Sequence, residues 1–502
     1  MSLNRADLPT PLYTAEQTRE LDRVAIQQFS IPGIRLMQRA GHACFAVMLE
    51  RYQHLSSITV MCGAGNNGGD GFIIAQLARE HGVNVQLVCI GEGDFPASLR
   101  GEALQAWRLL QTEVNDYQKF VSGMELTGDV IVDAMLGTGL QGNVRGLFAE
   151  AIMQINQVGR PIVAVDAPSG LCADSGQVLG CAVEADCTIS FIGLKRGLFT
   201  SEAVTYVGAM YFDDLLVPDS VYDSVAVNVF RTTQADVRRL FPPRARSSHK
   251  GINGHVLVVG GEQGMGGAAL LASQAALRSG AGLVTLATRE EHVSASLMRC
   301  PEVMVRKVHS GQDLLPLIAQ ADVIVIGPGL GQNAWGEQML AAVLASKKPH
   351  VLDADALNLM VKKGLFVTLD SVARVCTPHP GEAARMLHCS VDEVELDRFA
   401  TVERLQKTCG GAVLLKGAGS VSTAGDAIHL CSAGNPGMAV AGMGDVLSGV
   451  CGAFLAQGLS AEDSLRLAVY VHASAADAVV ASQGERGLLA SDLMPMLMKI
   501  IN

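Results

Sequence analysis

One short stretch of the sequence combines a glycine-rich turn with polar side chains that could do chemistry. Residues 60–75 are VMCGAGNNGGDGFIIA, and residues 63–68 match the G-x-G-x-x-G spacing of a dinucleotide-binding turn. The stretch also carries Asn66, Asn67 and Asp70, whereas a loop that only cradles phosphate needs backbone N–H groups. A carboxylate at the following helix start would repel a phosphate. The pattern indicates either an ordinary nucleotide loop or a reaction site built on one.

Two further strand ends carry carboxylates. The segment DAMLGTGLQGN begins with Asp133, and DAPSG begins with Asp166. Because the carboxyl ends of parallel strands meet at one sheet edge, these loops and the first stretch should converge. Carboxylate and amide oxygens suit a cation, and a carboxylate near a second one can act as acid or base. The alternative, that Asp70, Asp133 and Asp166 only cap helices or turn strands, stays open for each of them.

A dehydrogenase would need an acidic residue at the end of the next strand. That strand ends near Cys89 and Ile90, and Glu92 follows just beyond. A lone glycine fingerprint has a high false-positive rate, so the dehydrogenase interpretation is weakly supported.

A second glycine-rich segment lies near the end of the chain. Residues 432–449 are SAGNPGMAVAGMGDVLSG and run into an apolar helical pattern near Val446. The N–H groups of residues 442–444, with the helix dipole behind them, favour an anion. An acid beside an anion site is costly unless it has a task, and the obvious task for Asp445 is to take a proton from a hydroxyl. A helix cap after a glycine turn is the alternative.

Other strand ends in this half could complete a nucleotide site. Lys416 begins KGAGS, where lysine and glycines could approach phosphate, and His379 lies between two prolines in TPHPGE. Asp353 and Asp355 follow another strand. They could orient the substrate or a metal-bound phosphate, or they could cap the next helix, and the sequence leaves both roles open. No G-x-x-x-x-G-K-[ST] segment occurs, which argues against a Walker-type ATPase.

These residues need a parallel α/β scaffold to position them. Short apolar runs such as residues 58–62 alternate with helical patterns, which is typical of a parallel sheet covered by helices on both faces. Residues 14–50 have a helical pattern that starts with a capping box, TAEQ. The rhythm weakens over residues 219–250 and then restarts. We therefore expect two α/β domains, residues 1–225 and 226–502.

Composition disfavours several function classes. The chain has 502 residues, a formal net charge of −11 and a sequence pI near 5.6, which disfavours nucleic-acid and anionic-membrane partners. We find no apolar run long enough for a membrane span, and we expect no secretory signal, because MSLNRADLPTPL contains no apolar segment of the kind such signals carry. The twelve cysteines form no C-x-x-C and are expected to be buried, reduced thiols. We expect a cytoplasmic protein, and a homo-oligomer.

Three motifs of the first half resemble those of the NAD(P)H-hydrate epimerases, the YjeF N-terminal domains. They are NNGGDG, VDAMLGTGL and DAPSG. The resemblance implies a Rossmann-like three-layer domain that interconverts the R and S hydrates of NADH and NADPH, with a potassium ion held by Asn67, Asp133 and Ser169. We expect the proton chemistry from Asp133 and Asp166. The residues that would contact the hydrated nucleotide are Asn66, Asn67, Gly68, Gly69, Asp70, Gly137, Thr138, Gly139, Leu140, Gln141, Gly142, Asn143 and Asp166.

The second half resembles the ADP/ATP-dependent NAD(P)H-hydrate dehydratases of the ribokinase-like superfamily. The motifs are HKG, GHVLVVGG, GPGLG, TPHPGE, the Lys416–Gly417 pair and GMGD. The resemblance implies a ribokinase-like α/β domain in which Asp445 is the base, and it favours ADP over ATP, with Mg²⁺ expected. One departure is Met443, where the family usually has threonine. The substrate contacts would be Gly329, His379 and Asp445, and the ADP contacts Lys416, Gly417, Ala418, Gly419, Ser420 and Gly444.

Together the two halves predict one chain that repairs hydrated NADH and NADPH. One epimer would be dehydrated by the second domain, and the other epimer would be converted by the first. A second hypothesis makes the second domain a small-molecule kinase of sugar or vitamin type with an accessory nucleotide-binding domain. A third hypothesis makes the first domain a non-catalytic nucleotide-sensing or protein-binding module. The presence of Asn67, Asp70, Asp133 and Asp166 together argues against it.

Overall fold

The computed structural model describes residues 8–91, 93–110, 117–366 and 372–502, so Glu92 lies outside the described residues. The chain divides into two compact units, Met1–Val229 and Phe230–Asn502. We call them unit 1 and unit 2.

Unit 1 is built on a parallel sheet. Its strands are β1 (Ser57–Cys62), β2 (Asn84–Cys89), β3 (Tyr117–Lys119), β4 (Val130–Ala134), β5 (Ile162–Val165), β6 (Cys187–Phe191) and β7 (Ala209–Asp213). They lie in the order β3-β2-β1-β4-β5-β6-β7, and every neighbouring pair is parallel. The strand order reverses between β1 and β4, which opens a crevice at their carboxyl ends.

Helices cover both faces of this sheet. Successive side chains of each strand point to opposite faces, and the side chains on both faces are mostly apolar. Val60 packs into one apolar core with the helices of residues 15–27, 33–51, 66–80 and 101–110, whereas the neighbouring Met61 packs on the other side with the helix of residues 146–157. The Rossmann-like three-layer prediction is confirmed. The helices are α1 (Ala15–Gln27), α2 (Gly33–Arg51), α3 (Asn66–Glu80), α4 (Phe95–Ser98), α5 (Gly101–Leu110), α6 (Gly146–Gln157), α7 (Ala203–Tyr206) and α8 (Asp219–Tyr222), with a 3-10 turn at Arg196–Phe199 and a two-residue strand at Pro11–Leu12.

Two sequence predictions about helices need correction. The continuous helical pattern of residues 14–50 is two helices, because Ser30 has a left-handed φ of +54° and Pro32 cannot continue a helix. The capping box at Thr14 is present as predicted. Helix α3 begins at Asn66, so Asn66 and Asn67, which the sequence placed in a glycine-rich turn, lie in the first turn of a helix.

Unit 2 is built on a larger sheet. Its strands are β8 (Val229–Arg231), β9 (His255–Val259), β10 (Leu283–Thr288), β11 (Met304–Lys307), β12 (Val323–Ile326), β13 (His350–Leu352), β14 (Arg374–Cys376), β15 (Ala412–Leu415), β16 (Ser420–Thr423) and β17 (Ile428–Cys431). Their order is β8-β17-β16-β15-β14-β13-β12-β9-β10-β11. From β15 to β11 the neighbours are parallel, while β16 is antiparallel to β15 and to β17. The loops after β13, β14 and β15 therefore share one edge.

Helices cover this sheet and supply most of the apolar core of unit 2. They are α9 (Gln234–Leu240), α10 (Gly266–Arg278), α11 (Val293–Arg299), α12 (Gly311–Gln320), α13 (Ala334–Ala345), α14 (Ala354–Lys363), α15 (Pro380–Leu387), α16 (Val391–Leu396), α17 (Arg398–Cys409), α18 (Met443–Ala456), α19 (Ala461–Gln483) and α20 (Met494–Ile501), with 3-10 turns at Glu290–His292, Pro436–Met438 and Ala490–Leu493. The apolar side of α19 packs into this core. All twelve cysteines are free thiols and none is exposed. Among the described residues, no helix is both long and apolar enough to span a membrane.

Candidate active sites

A cavity of about 710 Å³ opens at the crevice of unit 1. The predicted contact residues that line it are Asn66, Asn67, Asp70, Gly137, Thr138, Gly139, Leu140, Gln141 and Asp166. Gly68, Gly69, Gly142 and Asn143 belong to the same segments but do not line it, and neither do Asp133 and Ser169. The fold thus brings together the three loops that the sequence singled out.

Helix α3 presents its first turns to this cavity. The backbone of Gly68 passes so close to Gly63 that an added Cβ would lie 1.9 Å from the Gly63 carbonyl oxygen, so only glycine fits there. This close approach seats the helix start against the end of β1. Asn66 and Asp70 are thereby placed on the cavity wall, and Asn67 is buried beside them.

Asp166 follows β5 in a strained conformation beside a buried lysine. Its φ is +66°, a left-handed value that non-glycine residues adopt only when neighbours hold them. Lys195 is 1% exposed, and its Nζ donates to Asp166 Oδ1, to Ser190 Oγ at 3.2 Å and to the Phe191 carbonyl at 3.1 Å. The Phe191 N–H also donates to Asp166 Oδ1, at 3.2 Å. Asp166 Oδ2 has no such partner in the described part of the chain and remains available to a ligand.

Two more carboxyl groups line the cavity without partners. The side chains of Asp22, on α1, and Asp70 accept no hydrogen bond and form no ion pair with the residues that the structure describes. Burial raises the pKa of Asp22 to about 6, opposed by Lys195 and assisted by Asp166 and Glu102. Burial, together with the charges of Asp166 and Asp22, raises the pKa of Asp70 as well. The cavity therefore gathers more carboxyl groups than its single buried lysine can balance, and burial favours the protonated form of Asp22 and Asp70.

Sequence reasoning missed Lys195, Asp22 and Glu102. A usable signal existed for Lys195, because a lysine inside the apolar segment SFIGLKRGLF must either reach the surface or find a buried partner. Asp22 gave no such signal, since a carboxylate at the border of an apolar helix face is ordinarily solvated.

Asp133 lies beneath the cavity in a separate cluster. It is 0% exposed. Its oxygens accept from the Ser169 N–H at 2.7 Å, the Ser169 hydroxyl at 2.6 Å and the Met135 N–H at 3.2 Å. Asn67 Nδ2 donates to the Leu136 carbonyl at 3.2 Å, and the Leu136 N–H donates to Ser169 Oγ at 2.8 Å. The three residues expected to bind potassium are thus linked through one backbone segment.

In unit 2, Asp445 lies in the first turn of α18. Helix α18 begins after Gly442, whose φ is +93°. Burial and the charge of Asp353 raise the pKa of Asp445 to about 7, against the opposing charge of Lys416. A carboxyl group with this pKa can both take and release a proton near neutral pH. The alternative role of Asp445 as a helix cap is not supported, because the Asp445 side chain caps no N–H group among the described residues.

A partly buried ion pair lies beside Asp445. Lys416 Nζ lies 2.9 Å from Asp353 Oδ1, and Ser448 Oγ donates to Asp353 Oδ2 at 2.7 Å. A Cβ added to Gly444 would lie 3.4 Å from Lys416 Nζ and 3.6 Å from Asp353 Oδ2. The strand-end aspartate, the lysine and the start of α18 therefore meet at one point of the sheet edge.

His379 has a helix-capping role. Its Nδ1 accepts from the Gly381 N–H at 3.0 Å, and the buried Glu382 accepts from the His379 N–H at 2.8 Å. Glu382 Oε2 is 3.9 Å from Lys416 Nζ. Burial, with the charges of Lys416 and Arg385, lowers the pKa of His379. The imidazole is half-exposed at the edge of the Lys416 cluster and can be neutral when it contacts a ligand.

The KGAGS segment forms the turn between β15 and β16. Gly417 N–H donates to Ser420 Oγ at 3.2 Å, while Gly417 and Ala418 are exposed. The buried Arg398, which the sequence reasoning missed, donates to the carbonyls of Leu415 and Lys416, each at 3.1 Å. This arginine fixes the backbone from which Lys416 and the turn project.

The GPGLG loop lies at the reversal of strand order in unit 2, between β12 and β9. Gly329 has a φ of +58°, and its carbonyl accepts from the Glu262 N–H at 2.7 Å. Asp355 accepts from the Gly331 N–H at 3.0 Å, so it orders this loop and does not point at Lys416. Asp353 and Asp355 therefore have different tasks. No group of three or more His, Cys, Asp or Glu side chains among the described residues is arranged to hold a metal ion.

Comparison with known proteins assigns the family. Residues 33–197 match the model of the YjeF-related protein N-terminus, and residues 256–499 match the NAD(P)H-hydrate dehydratase model. The bifunctional NAD(P)H-hydrate repair enzyme Nnr of Coxiella burnetii is 44% identical, with 98% of this chain and 100% of the relative covered. The protein of the same name from Escherichia coli is 41% identical over 100% of this chain and 96% of its own length.

One solved structure bears on the second unit. A ribokinase-like superfamily protein from Enterococcus faecalis is 30% identical, covers 54% of this chain and 95% of its own length, and gives a TM-score of 0.51. The ribokinase-like fold prediction is confirmed. The full-length relatives are named as repair enzymes, which favours repair over the sugar- or vitamin-kinase hypothesis. The chain belongs to the family of bifunctional NAD(P)H-hydrate repair enzymes.

Proposed function

We propose that unit 1 interconverts the R and S hydrates of NADH and NADPH, and that unit 2 dehydrates the S hydrate at the expense of ADP. The observation that carries this proposal is the pair of separate sites, each at the carboxyl ends of parallel strands in its own unit, in a chain that matches repair enzymes over its full length. Both sites hold carboxyl groups suited to proton transfer near neutral pH.

In unit 2, Asp445 acts as the base. The hydrated ring carries a hydroxyl next to its nitrogen, and hydroxide is a poor leaving group. Asp445 takes the hydroxyl proton while the oxygen attacks the terminal phosphorus of ADP, whose bond to AMP breaks. The phosphate then leaves with the former hydroxyl oxygen, the ring nitrogen supplies the electron pair, and loss of a neighbouring ring proton restores the reduced nicotinamide. Lys416 and the N–H groups at the start of α18 stabilise the charge on the phosphate.

The nucleotide contacts are those that the family resemblance implies. We assign ADP to the turn of Lys416, Gly417, Ala418, Gly419 and Ser420 and to Gly444, and the hydrated nicotinamide to Gly329, His379 and Asp445. Asp353, Glu382 and Asp445 outnumber Lys416 around the phosphate position. A nucleoside diphosphate therefore needs a further cation, and Mg²⁺ fits because it binds phosphate oxygens together with one or two carboxylates.

In unit 1, Asp166 exchanges protons with the substrate. Its Oδ1 is held by Lys195, which leaves Oδ2 free at the cavity. The cavity residues of α3 and of residues 137–141 would contact the nucleotide. Asp133, the second residue expected to transfer protons, does not line the cavity, so we assign it to ion binding.

The donor set around Asp133 fits potassium. The carboxylate is buried without a lysine or arginine partner in the described part of the chain, and Ser169 Oγ, Asn67 Oδ1 and the Leu136 carbonyl add neutral oxygens. Hard oxygen ligands of this kind suit an alkali cation. The ion would balance the charge of Asp133 and order the cavity loop that begins at Met135.

Mixed R and S hydrates of NADH, supplied with ADP and Mg²⁺, test the whole proposal. The purified chain should restore the absorbance of reduced nicotinamide for both epimers. No recovery would refute the repair function. If one epimer recovers quickly and the other recovers only at the rate of spontaneous exchange, the epimerase role of unit 1 is refuted.

The compartment and assembly of the protein are part of the proposal. Free, unexposed cysteines fit a reducing compartment such as the cytoplasm. A homo-oligomer is expected, and size-exclusion chromatography with light scattering tests it directly.

A further inference from the structure

Epimerisation requires two proton-transfer groups, and the cavity of unit 1 supplies them from different walls. Asp166 comes from the end of β5, with one oxygen held by Lys195 and the other free. Asp133 is committed to Ser169 and Met135 below the cavity. The remaining candidates are the two carboxyl groups of the cavity wall whose pKa burial raises, Asp70 and Asp22. Burial and two neighbouring carboxylates raise the pKa of Asp70 well above its ordinary value, so Asp70 holds its proton too firmly to act as the acid, which leaves Asp22 as the second group.

Asp22 meets the requirements for that group. It projects from α1 into the cavity, and its carboxyl group has no partner among the described residues, so nothing competes for its proton. It is largely buried, and it lies in the electrostatic field of groups on several elements. The charged groups that face the cavity with it are Arg19 on its own helix, Asp70 on α3, Glu102 on α5, Asp166 after β5 and Lys195 after β6.

We propose that Asp22 is a catalytic acid of unit 1, working as the partner of the Asp166 base; this rests on the epimerase function proposed above. Asp22 donates a proton to the ring hydroxyl, and the carbon–oxygen bond breaks to release water. The electron pair of the ring nitrogen forms a carbon–nitrogen double bond. Water then adds to the opposite face, its proton passes to Asp166, and the pair returns to nitrogen. Hydroxyl leaves and returns as water, so no oxidant or reductant is consumed.

Lys195 positions Asp166 for this proton transfer, and in the reverse reaction the two carboxyl groups exchange the roles of acid and base. Its three N–H groups are taken by Asp166, Ser190 and the Phe191 carbonyl, so it has none left for substrate. It is a positioning residue that holds Oδ1 of Asp166 and leaves Oδ2 to the substrate. Burial and the charge of Asp166 raise the pKa of Asp22 to about 6, so Asp22 can carry the proton that the ring hydroxyl needs.

The test uses the full-length chain, one purified epimer and no ADP, with exchange followed by chromatography after subtraction of the protein-free rate. Asp22→Asn should slow exchange by about 10²–10⁴-fold, the usual range for a general acid. In the wild type, exchange should decline as the pH rises above about 6, because the acid must be protonated. That decline with pH should be absent in Asp22→Asn. In Asp22→Glu the decline should be present again, and part of the exchange rate should be restored.

The matched control is Glu20→Gln, on the same helix but outside the cavity and paired with Arg23 at the surface. It should exchange epimers like the wild type. Thermal unfolding should show Asp22→Asn to be folded, since its carboxylate holds no partner. Exchange by Asp22→Asn at a rate near wild type, or with the wild-type pH profile, would overturn the proposal. A wild-type chain without any exchange would instead refute the epimerase function itself.

Discussion

Replacing Asp445 by asparagine should abolish dehydration while leaving the fold of α18 intact. Asparagine has nearly the same shape, and Asp445 accepts no hydrogen bond from the described residues, so no buried donor loses its partner. A general base contributes about 10²–10⁴-fold to a rate. The loss corresponds to about 2.7–5.5 kcal/mol of barrier, at about 1.36 kcal/mol for each factor of ten.

The pH dependence gives a sharper test than the rate alone. A base must be ionised to work, so dehydration by the wild type should rise with pH. With a pKa of about 7, the ionised fraction of Asp445 grows from about 0.09 at pH 6 to about 0.91 at pH 8, a roughly tenfold increase. Asp445→Asn lacks this group, and its residual rate should not show that increase.

The assay supplies the S hydrate with ADP and Mg²⁺ and follows the absorbance of reduced nicotinamide. Epimer exchange, measured without ADP on the same preparation, reports the other site. Equal loss of both activities in Asp445→Asn would refute the assignment of two separate sites. A residual rate that keeps the tenfold rise would show that another group, or ADP itself, is the titrating species.

Three further outcomes are expected. Lys195→Met leaves Asp166 without its charge partner; breaking a buried pair costs about 3–5 kcal/mol, and the 18% exposure of the Asp166 side chain places this one at the lower end. Urea unfolding followed by tryptophan fluorescence should show this loss of stability. The chain's other tryptophan is replaced by phenylalanine, so that Trp107 alone reports the unfolding of unit 1. An unchanged midpoint would contradict the ion pair. Gly444→Val should weaken ADP binding at least about tenfold in calorimetry, because its side chain meets Lys416; unchanged affinity would place the phosphate elsewhere. Replacement of K⁺ by choline should slow epimer exchange and spare dehydration, and equal rates in both salts would refute the potassium site.

The parts of the sites that a sequence can predict are those fixed by strand ends. Asp166, Asp353 and Lys416 each follow a short apolar strand, and parallel topology brings such positions to one edge. Asp445 does not follow a strand, but a glycine turn that runs into an apolar helical pattern predicts its position equally well. These residues sit where local pattern and sheet topology together determine position.

The residues that escaped prediction depend on tertiary packing. Asp22 reaches the cavity because the packing of α1 on unit 1 turns that part of the helix inward, and the helical pattern does not encode this direction. Helix α3 starts before its apolar pattern does, because its first turns are seated by the close approach of Gly68 to Gly63. Such an approach is a property of two backbone segments and leaves no periodic signal.

The two sites differ in how charge is balanced, and the difference matches the chemistry proposed for each. In unit 1 the buried lysine is fully engaged by Asp166 and its neighbours, so it leaves the neutral hydroxyl of the substrate to an acid and a base. In unit 2, Lys416 lies beside Asp353 with its side chain 21% exposed, close to the N–H groups that begin α18. A cation that retains access to solvent can turn towards phosphate, whereas one that is 1% exposed cannot. The partly exposed lysine of unit 2 therefore suits the phosphoryl transfer proposed there, and the fully engaged lysine of unit 1 suits the proton exchange proposed for its cavity.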